Sequence, residues 1–126
     1  MKMKLLLKNP IFINGVEVNE LDYDTNKITP TLFAQAEAAK KQAAGMKNVA
    51  IVPAVEFDFA LHTYLGFAAI IAEMPHVDFL DLERLLGADV VYVMRIGRNF
   101  ILKSEESMPN DSDARSENMQ ENLVQA

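Results

Sequence analysis

The chain contains no cysteine. Disulfides and thiolate-bound metal are therefore excluded as sources of stability or chemistry, which suits a reducing compartment. Histidine is scarce, with only His62 and His76, and the two fall in different predicted elements. Positive charge is also short: 12 basic residues face 18 acidic ones, for a net charge of -6 and a pI near 4.8. Nucleic-acid binders carry a basic footprint, so nucleic acid is not an expected partner. No hydrophobic run is long. The longest strictly apolar one, residues 64–72, is too short to cross a bilayer and reads as a buried helix, so a membrane is not an expected partner either. The opening MKMKLLLKNP lacks the apolar core and cleavage site of a signal peptide. HExxH, GxGxxG, Walker and GxSxG patterns are all missing, as are internal repeats. What remains is a chain of 126 residues, expected to fold as one domain with a core large enough to need no staples.

The pattern of elements predicts an α+β domain over residues 1–102, with strands within residues 4–23 and helices near 30–44, 54–74, 79–86 and 90–102. Asn14-Gly15 sits between two short apolar or alternating runs, and a type I′ turn requires positive φ at both central residues, which Asn-Gly tolerates. A hairpin of residues 11–13 and 16–20 follows, with residues 4–7, set off by Asn9-Pro10, available as a third strand. The expected architecture is thus an N-terminal β-hairpin or three-stranded sheet packed on a bundle of about four α-helices. Residues 22–27 read as a polar linker. Thr29-Pro30 is a cap with proline at the first helical position, and Gly45 is a stop. The alanine-rich helix between them is helical by propensity more than by an apolar face, and Glu37 is placed to pair with Lys41. Residues 46–52 read as a strand or an extended lead-in. Pro53 then opens a helix reaching Met74 that is apolar nearly all round, which places it centrally.

The most fully punctuated stretch is residues 78–102. Asp78 caps a helix carrying Phe79, Leu82, Leu85 and Leu86, and Gly87 ends it. Asp89 is read as the cap of the next helix. Along that helix Val90, Val93, Met94, Gly97, Phe100 and Ile101 recur with the spacing of one helical face. Tyr92, Arg95, Arg98 and Asn99 fall off the stripe and form a basic, hydrogen-bonding side. Two glycines, Gly66 and Gly97, lie inside predicted helices, at a cost of about 1 kcal/mol each relative to alanine. A close helix crossing at these two positions is the expected compensation. Beyond Leu102 the composition turns polar: residues 103–126 hold -4 of the net charge and no aromatic residue, so they are expected to be a disordered acidic tail.

No catalytic or metal constellation emerges. Asp58 lies one helical turn before His62, which suggests a helix-surface hydrogen bond more than a two-ligand site. Asp78 and Asp81 open a helix, where acids favour the positive end of its dipole. Glu56 and Asp58 face different ways. Arg95, Arg98 and Asn99 are a solvated face, a carboxylate-binding group for a partner, or a partner for the acidic tail.

Three stretches, KNPIFINGVEVNEL, LHTYLGFAAIIAEMP and DFLDLERLLGADVVYVMRIGRNFIL, followed by an acidic Ser/Glu/Asn tail, together resemble the tail assembly chaperones of long-tailed bacteriophages. The resemblance rests on Pro10, Asn14 and Gly15 at the start and on Asp81, Leu82, Glu83, Gly87, Asp89, Gly97, Arg98, Asn99 and Phe100 at the end. It implies a non-enzymatic role without cofactor in the host cytoplasm, during virion assembly, and absence from the mature virion. The implied partner is the phage tape measure protein, with the tail tube protein and a second copy of this chain as further candidates. Tyr64 and Tyr92 are candidate edge residues of the binding surface, and Arg95, Arg98 and Asn99 candidate polar contacts. Seven methionines suit an adaptable apolar binder. The alternative is a small structural or regulatory interaction protein of a phage or prophage.

Overall fold

The computed structural model describes residues 2–45, 54–55 and 58–107. In order they form β1 (Met3–Ile13), β2 (Val16–Tyr23), a 3-10 turn (Thr25–Lys27), α1 (Pro30–Ala43), α2 (Phe59–Glu73), α3 (Phe79–Leu82) and α4 (Ala88–Ser107). The fold is α+β, with a two-stranded antiparallel hairpin and four helices.

The hairpin turns at Asn14 and Gly15, whose φ values of 53° and 81° are the positive pair that the Asn-Gly turn requires. The expected third strand is not separate. Residues 4–7 and 11–13 belong to one strand, β1, which pairs with β2 from Met3↔Tyr23 to Ile13↔Val16. Asn9-Pro10 does not end it. Instead the register shifts between Leu6↔Glu20 and Ile11↔Val18, so that β1 bulges where proline has no N–H to give the ladder. The displaced amides of Lys8 and Asn9 donate to the two carboxylate oxygens of Asp89, each at 2.9 Å. Asp89 is fully buried. It sits in the first turn of α4, after Gly87 and Ala88, so its carboxylate holds the bulge and is not the cap expected of it.

One face of the hairpin is buried through Leu5, Ile11, Ile13 and Leu21, which pack with Phe67, Ile70, Val77, Leu82, Leu85 and Val93. The other is wet: Lys4 reaches Glu20 and Asp22, and Leu6 and Phe12 stay exposed. Residues 22–27 are not a linker. Tyr23 ends β2, and Asp24 caps the 3-10 turn through the Asn26 amide. This turn is tied to α2 by Asp24 N–H to the Ala69 carbonyl (3.1 Å) and by the Lys27–Glu73 ion pair (2.7 Å).

Helix α1 begins as its sequence requires, with Thr29 Oγ1 accepting from the Leu32 amide and Pro30 at the first helical position. Gly45, at φ 81°, follows its end. Its intrahelical pair is Glu37 with Lys40, not Lys41. Residues 46–53, including the ambiguous run after Gly45, lie outside the described residues, as do 56 and 57. Ala54, Val55 and Asp58 precede α2, so the helix expected from residue 54 starts at Phe59, with Asp58 as its cap. From there Leu61, Leu65, Phe67, Ala68, Ala69 and Ile70 are all buried, as an all-round apolar helix must be. Fully burying a side chain such as Leu65 or Ile70 is worth about 1.5–3 kcal/mol.

Helix α3 is one turn long and starts with a reciprocal capping box between Asp78 and Asp81. It stops at Leu82, beyond which the amides of Arg84 and Leu85 bond the carbonyls of Asp81 and Leu82, three residues back, and Leu85 is buried while Leu86 is left 61% exposed. Gly87, at φ 57°, then redirects the chain into α4. That last helix continues past residue 102, so residues 103–107 are helical and not part of a disordered tail. Residues 108–126 lie outside the described residues. No helix among the described residues is long and apolar enough to cross a membrane.

Candidate partner-binding surfaces

The framework of any surface here is the crossing of α2 over α4. A Cβ on Gly66 would overlap the Val93 carbonyl oxygen and come within 2.6 Å of Val93 Cγ1. One on Gly97 would overlap the His62 carbonyl oxygen and lie 2.9 Å from the Gly66 backbone nitrogen. The two helices therefore touch backbone to backbone, which only glycine permits. The expected close crossing is present at both positions.

This contact fixes which way α4 faces. Val93, Gly97 and Ile101 are buried, with Val90, Met94 and Phe100 half-buried beside them. The five candidate contact residues do not form a single patch. Tyr92 and Arg95, with Ala88 and Val91, line a shallow groove of about 240 Å³ on the outer side. Val91 and Tyr92 are 45% and 44% exposed. Arg95 has no ion-pair partner among the described residues. Asn99 opens instead onto a second groove of about 420 Å³ between α4 and the end of the hairpin, with Tyr23, Asn26, Phe100 and Lys103.

Arg98 is not on the wet side where its position off the stripe places it. It is half-buried, with its guanidinium 5.9 Å from the centre of the Phe59 ring and its buried Nε without a hydrogen-bond partner among the described residues. Tyr64 is remote from these arginines in its contacts. Its ring packs edge-on to Phe67 at 4.8 Å and beside Phe79, and its hydroxyl donates to Glu83 Oε2 at 2.8 Å. Burial, reinforced by that carboxylate, pushes the phenol well above its ordinary pKa.

His62 is not on a helix surface either. It is fully buried, and its Nε2 donates to the Val55 carbonyl oxygen at 2.7 Å, leaving Nδ1 without a partner among the described residues. Asp58 does not pair with it: one of its carboxylate oxygens accepts from the Leu61 amide (3.0 Å) and the other from Lys40 (2.9 Å). His76 lies exposed in a turn. Among the described residues no three of His, Cys, Asp and Glu converge as metal ligands would.

Sequence reasoning missed two of the working polar residues. Asp89 was legible as a helix-start acid, but nothing in a linear sequence marks its reach to the bulge 80 residues earlier. Lys40 carried an i,i+3 signal to Glu37, yet its stronger partner, Asp58, belongs to another helix.

No protein-family model, curated protein or solved structure matches this chain.

Proposed function

We propose that this protein is a tail assembly chaperone of a long-tailed phage or prophage, which binds helical, apolar segments of the tape measure protein and keeps them soluble in the host cytoplasm until the tail tube forms. It acts by binding alone, without nucleotide or metal, and is absent from the finished virion. The reading rests on the resemblance of the Pro10-to-Leu21 start, the α2 segment and the α3–α4 segment to such chaperones. The observation that carries it in this chain is the outer side of α4. There Val91 and Tyr92 offer half-wet apolar surface beside Arg95, whose charge has no ion-pair partner among the described residues, a combination suited to the apolar stripe and acidic flank of an amphipathic helix.

Co-expression with the tape measure protein of the same phage or prophage tests it. The tape measure protein, insoluble alone, should become soluble and elute with this chain. Tyr92→Ala combined with Arg95→Glu should weaken that complex while leaving the thermal transition of the chaperone within a few degrees, because both side chains are exposed. Equal solubility of the long protein with and without this chain would end the proposal.

A further inference from the structure

The tip of the hairpin is bare. Asn14 and Gly15 are both exposed, and the ladder closes before them with the pair Ile13↔Val16. Neither the Asn14 side chain nor the Gly15 amide has a hydrogen-bond partner among the described residues. A side chain built on Gly15 would meet nothing within 4 Å. The Gly15 nitrogen is therefore open to water and to the Asn14 side chain, whose amide carbon is one bond short of a five-membered ring with it. The other asparagines among the described residues are not so placed. Asn9 precedes Pro10, whose nitrogen carries no proton. Asn26 precedes Lys27, whose amide donates to the Asp24 carbonyl at 3.1 Å. Asn19 lies inside β2 and Asn99 inside α4, where the ladder and the helix hold the backbone angles that ring closure must change. Turning Asn14 in the same way opens only a two-residue tip, which belongs to the least stable end of a hairpin.

We infer that Asn14 is a self-modification site, at which the turn converts to isoaspartate with water as the only co-reactant. Base removes the Gly15 amide proton, and the nitrogen attacks Asn14 Cγ to form a new C–N bond. The bond from Cγ to the side-chain nitrogen breaks, and that nitrogen takes up a proton and leaves as ammonia. Water then adds to the Asn14 main-chain carbonyl carbon in the ring and breaks its bond to the Gly15 nitrogen. The chain now runs through the side-chain carbon, which is isoaspartate; addition at the other ring carbonyl gives aspartate. No oxidant or reductant is needed. Isoaspartate adds a methylene to the backbone and a negative charge to the tip. A two-residue turn with both φ values positive has no slack for the methylene, so the Ile13↔Val16 pairing loosens. With it loosens the burial of Ile11 and Ile13, which are 4% and 3% exposed. The site does not depend on the chaperone reading.

The full-length protein is held folded at mildly alkaline pH and sampled over time. Tandem mass spectrometry locates the converted residue, and labelling by an isoaspartyl carboxyl methyltransferase separates isoaspartate from aspartate. Asn14 should be lost to a product heavier by the exchange of NH2 for OH, most of it labelled, while Asn9, Asn19, Asn26 and Asn99 stay intact. The loss should quicken as pH rises, because the attacking nitrogen must first give up its proton. Asn14→Gly keeps a turn that accepts positive φ at both positions and should abolish labelling at the tip. The modified chain, separated by its added charge on anion exchange, should unfold at a lower urea concentration than the unaltered chain. Survival of Asn14 in the folded protein while one of the other four converts would overturn the proposal. So would conversion confined to urea-unfolded chain. A modified chain with an unchanged urea midpoint would overturn it as well, since the turn would then not hold the register of the hairpin.

Discussion

Gly97→Ala separates two opposed expectations at one position. On propensity alone, replacing a mid-helix glycine with alanine stabilises by about 1 kcal/mol. The α2–α4 crossing predicts the reverse. The added methyl would overlap the His62 carbonyl oxygen and lie 2.7 Å from the His62 carbonyl carbon and 2.9 Å from the Gly66 nitrogen. All three are backbone atoms, so no side-chain rotation relieves the overlap, and the helices must part by roughly an ångström to restore ordinary contact distances. Parting them loosens Leu61, Leu65, Val93 and Ile101 together. Overpacking of a well-packed core costs about 1–3 kcal/mol when flexible side chains can yield, and backbone on the far side puts this case at or above the upper end. A net loss of about 3 kcal/mol is expected, or about 10–20 °C in Tm for a domain of this size. Thermal unfolding followed by circular dichroism measures it. Gly66→Ala, whose methyl would meet Val93 O and Cγ1, should behave alike. The double variant should lose less than the sum of the two, because one separation relieves both overlaps. A Tm for Gly97→Ala at or above that of the unaltered protein would refute the backbone contact.

Asp89→Asn should destabilise by about 2–3 kcal/mol in urea, since an amide offers one neutral acceptor oxygen where the N–H groups of Lys8 and Asn9 each bond a charged carboxylate oxygen. Unchanged exchange rates at those two amides would show that the carboxylate does not hold the bulge. In an ultraviolet pH titration, one of the three tyrosines should remain un-ionised past pH 10, and Tyr64→Phe should remove that phenol. The sign follows from the raised folded pKa: the contribution of Tyr64 to stability is complete below pH 10 and is lost as pH rises through its folded value. Loss of an ordinarily titrating phenol in Tyr64→Phe would refute its burial against Glu83. Phe100→Ala should cost about 2 kcal/mol, less than for a fully buried phenylalanine, because Phe100 is half-buried at the edge of the smaller cluster. Arg98→Ala should cost about 1 kcal/mol through its lost contact with Phe59, and a loss exceeding that of Phe100→Ala would show the α4 face to be misassigned.

The sequence by itself determined what depends on neighbours along the chain. Asn14-Gly15 specifies its turn because few other pairs accept positive φ twice. Thr29-Pro30, Asp78 and Gly45 mark helix ends through bonds or conformations spanning a few residues. The periodic stripe of α4 and the all-round apolarity of α2 announced burial, and two mid-helix glycines announced a close crossing. Only tertiary structure decided the rest. It made one strand of residues 3–13, because the bulge at Asn9-Pro10 finds its missing hydrogen bonds on Asp89, far along the chain. It ended α3 at Leu82, where the chain tightens into a turn that buries Leu85 and leaves Leu86 exposed. It buried His62 and drew Arg98 over Phe59, since the glycine contact brings α4 close enough to cover polar groups that helical periodicity alone assigns to solvent. It also gave Lys40 its partner across two helices. Hydrogen bonds and propensities within a turn are encoded by spacing, whereas which buried polar group meets which depends on how whole elements cross, and that is set by the packing of all of them at once.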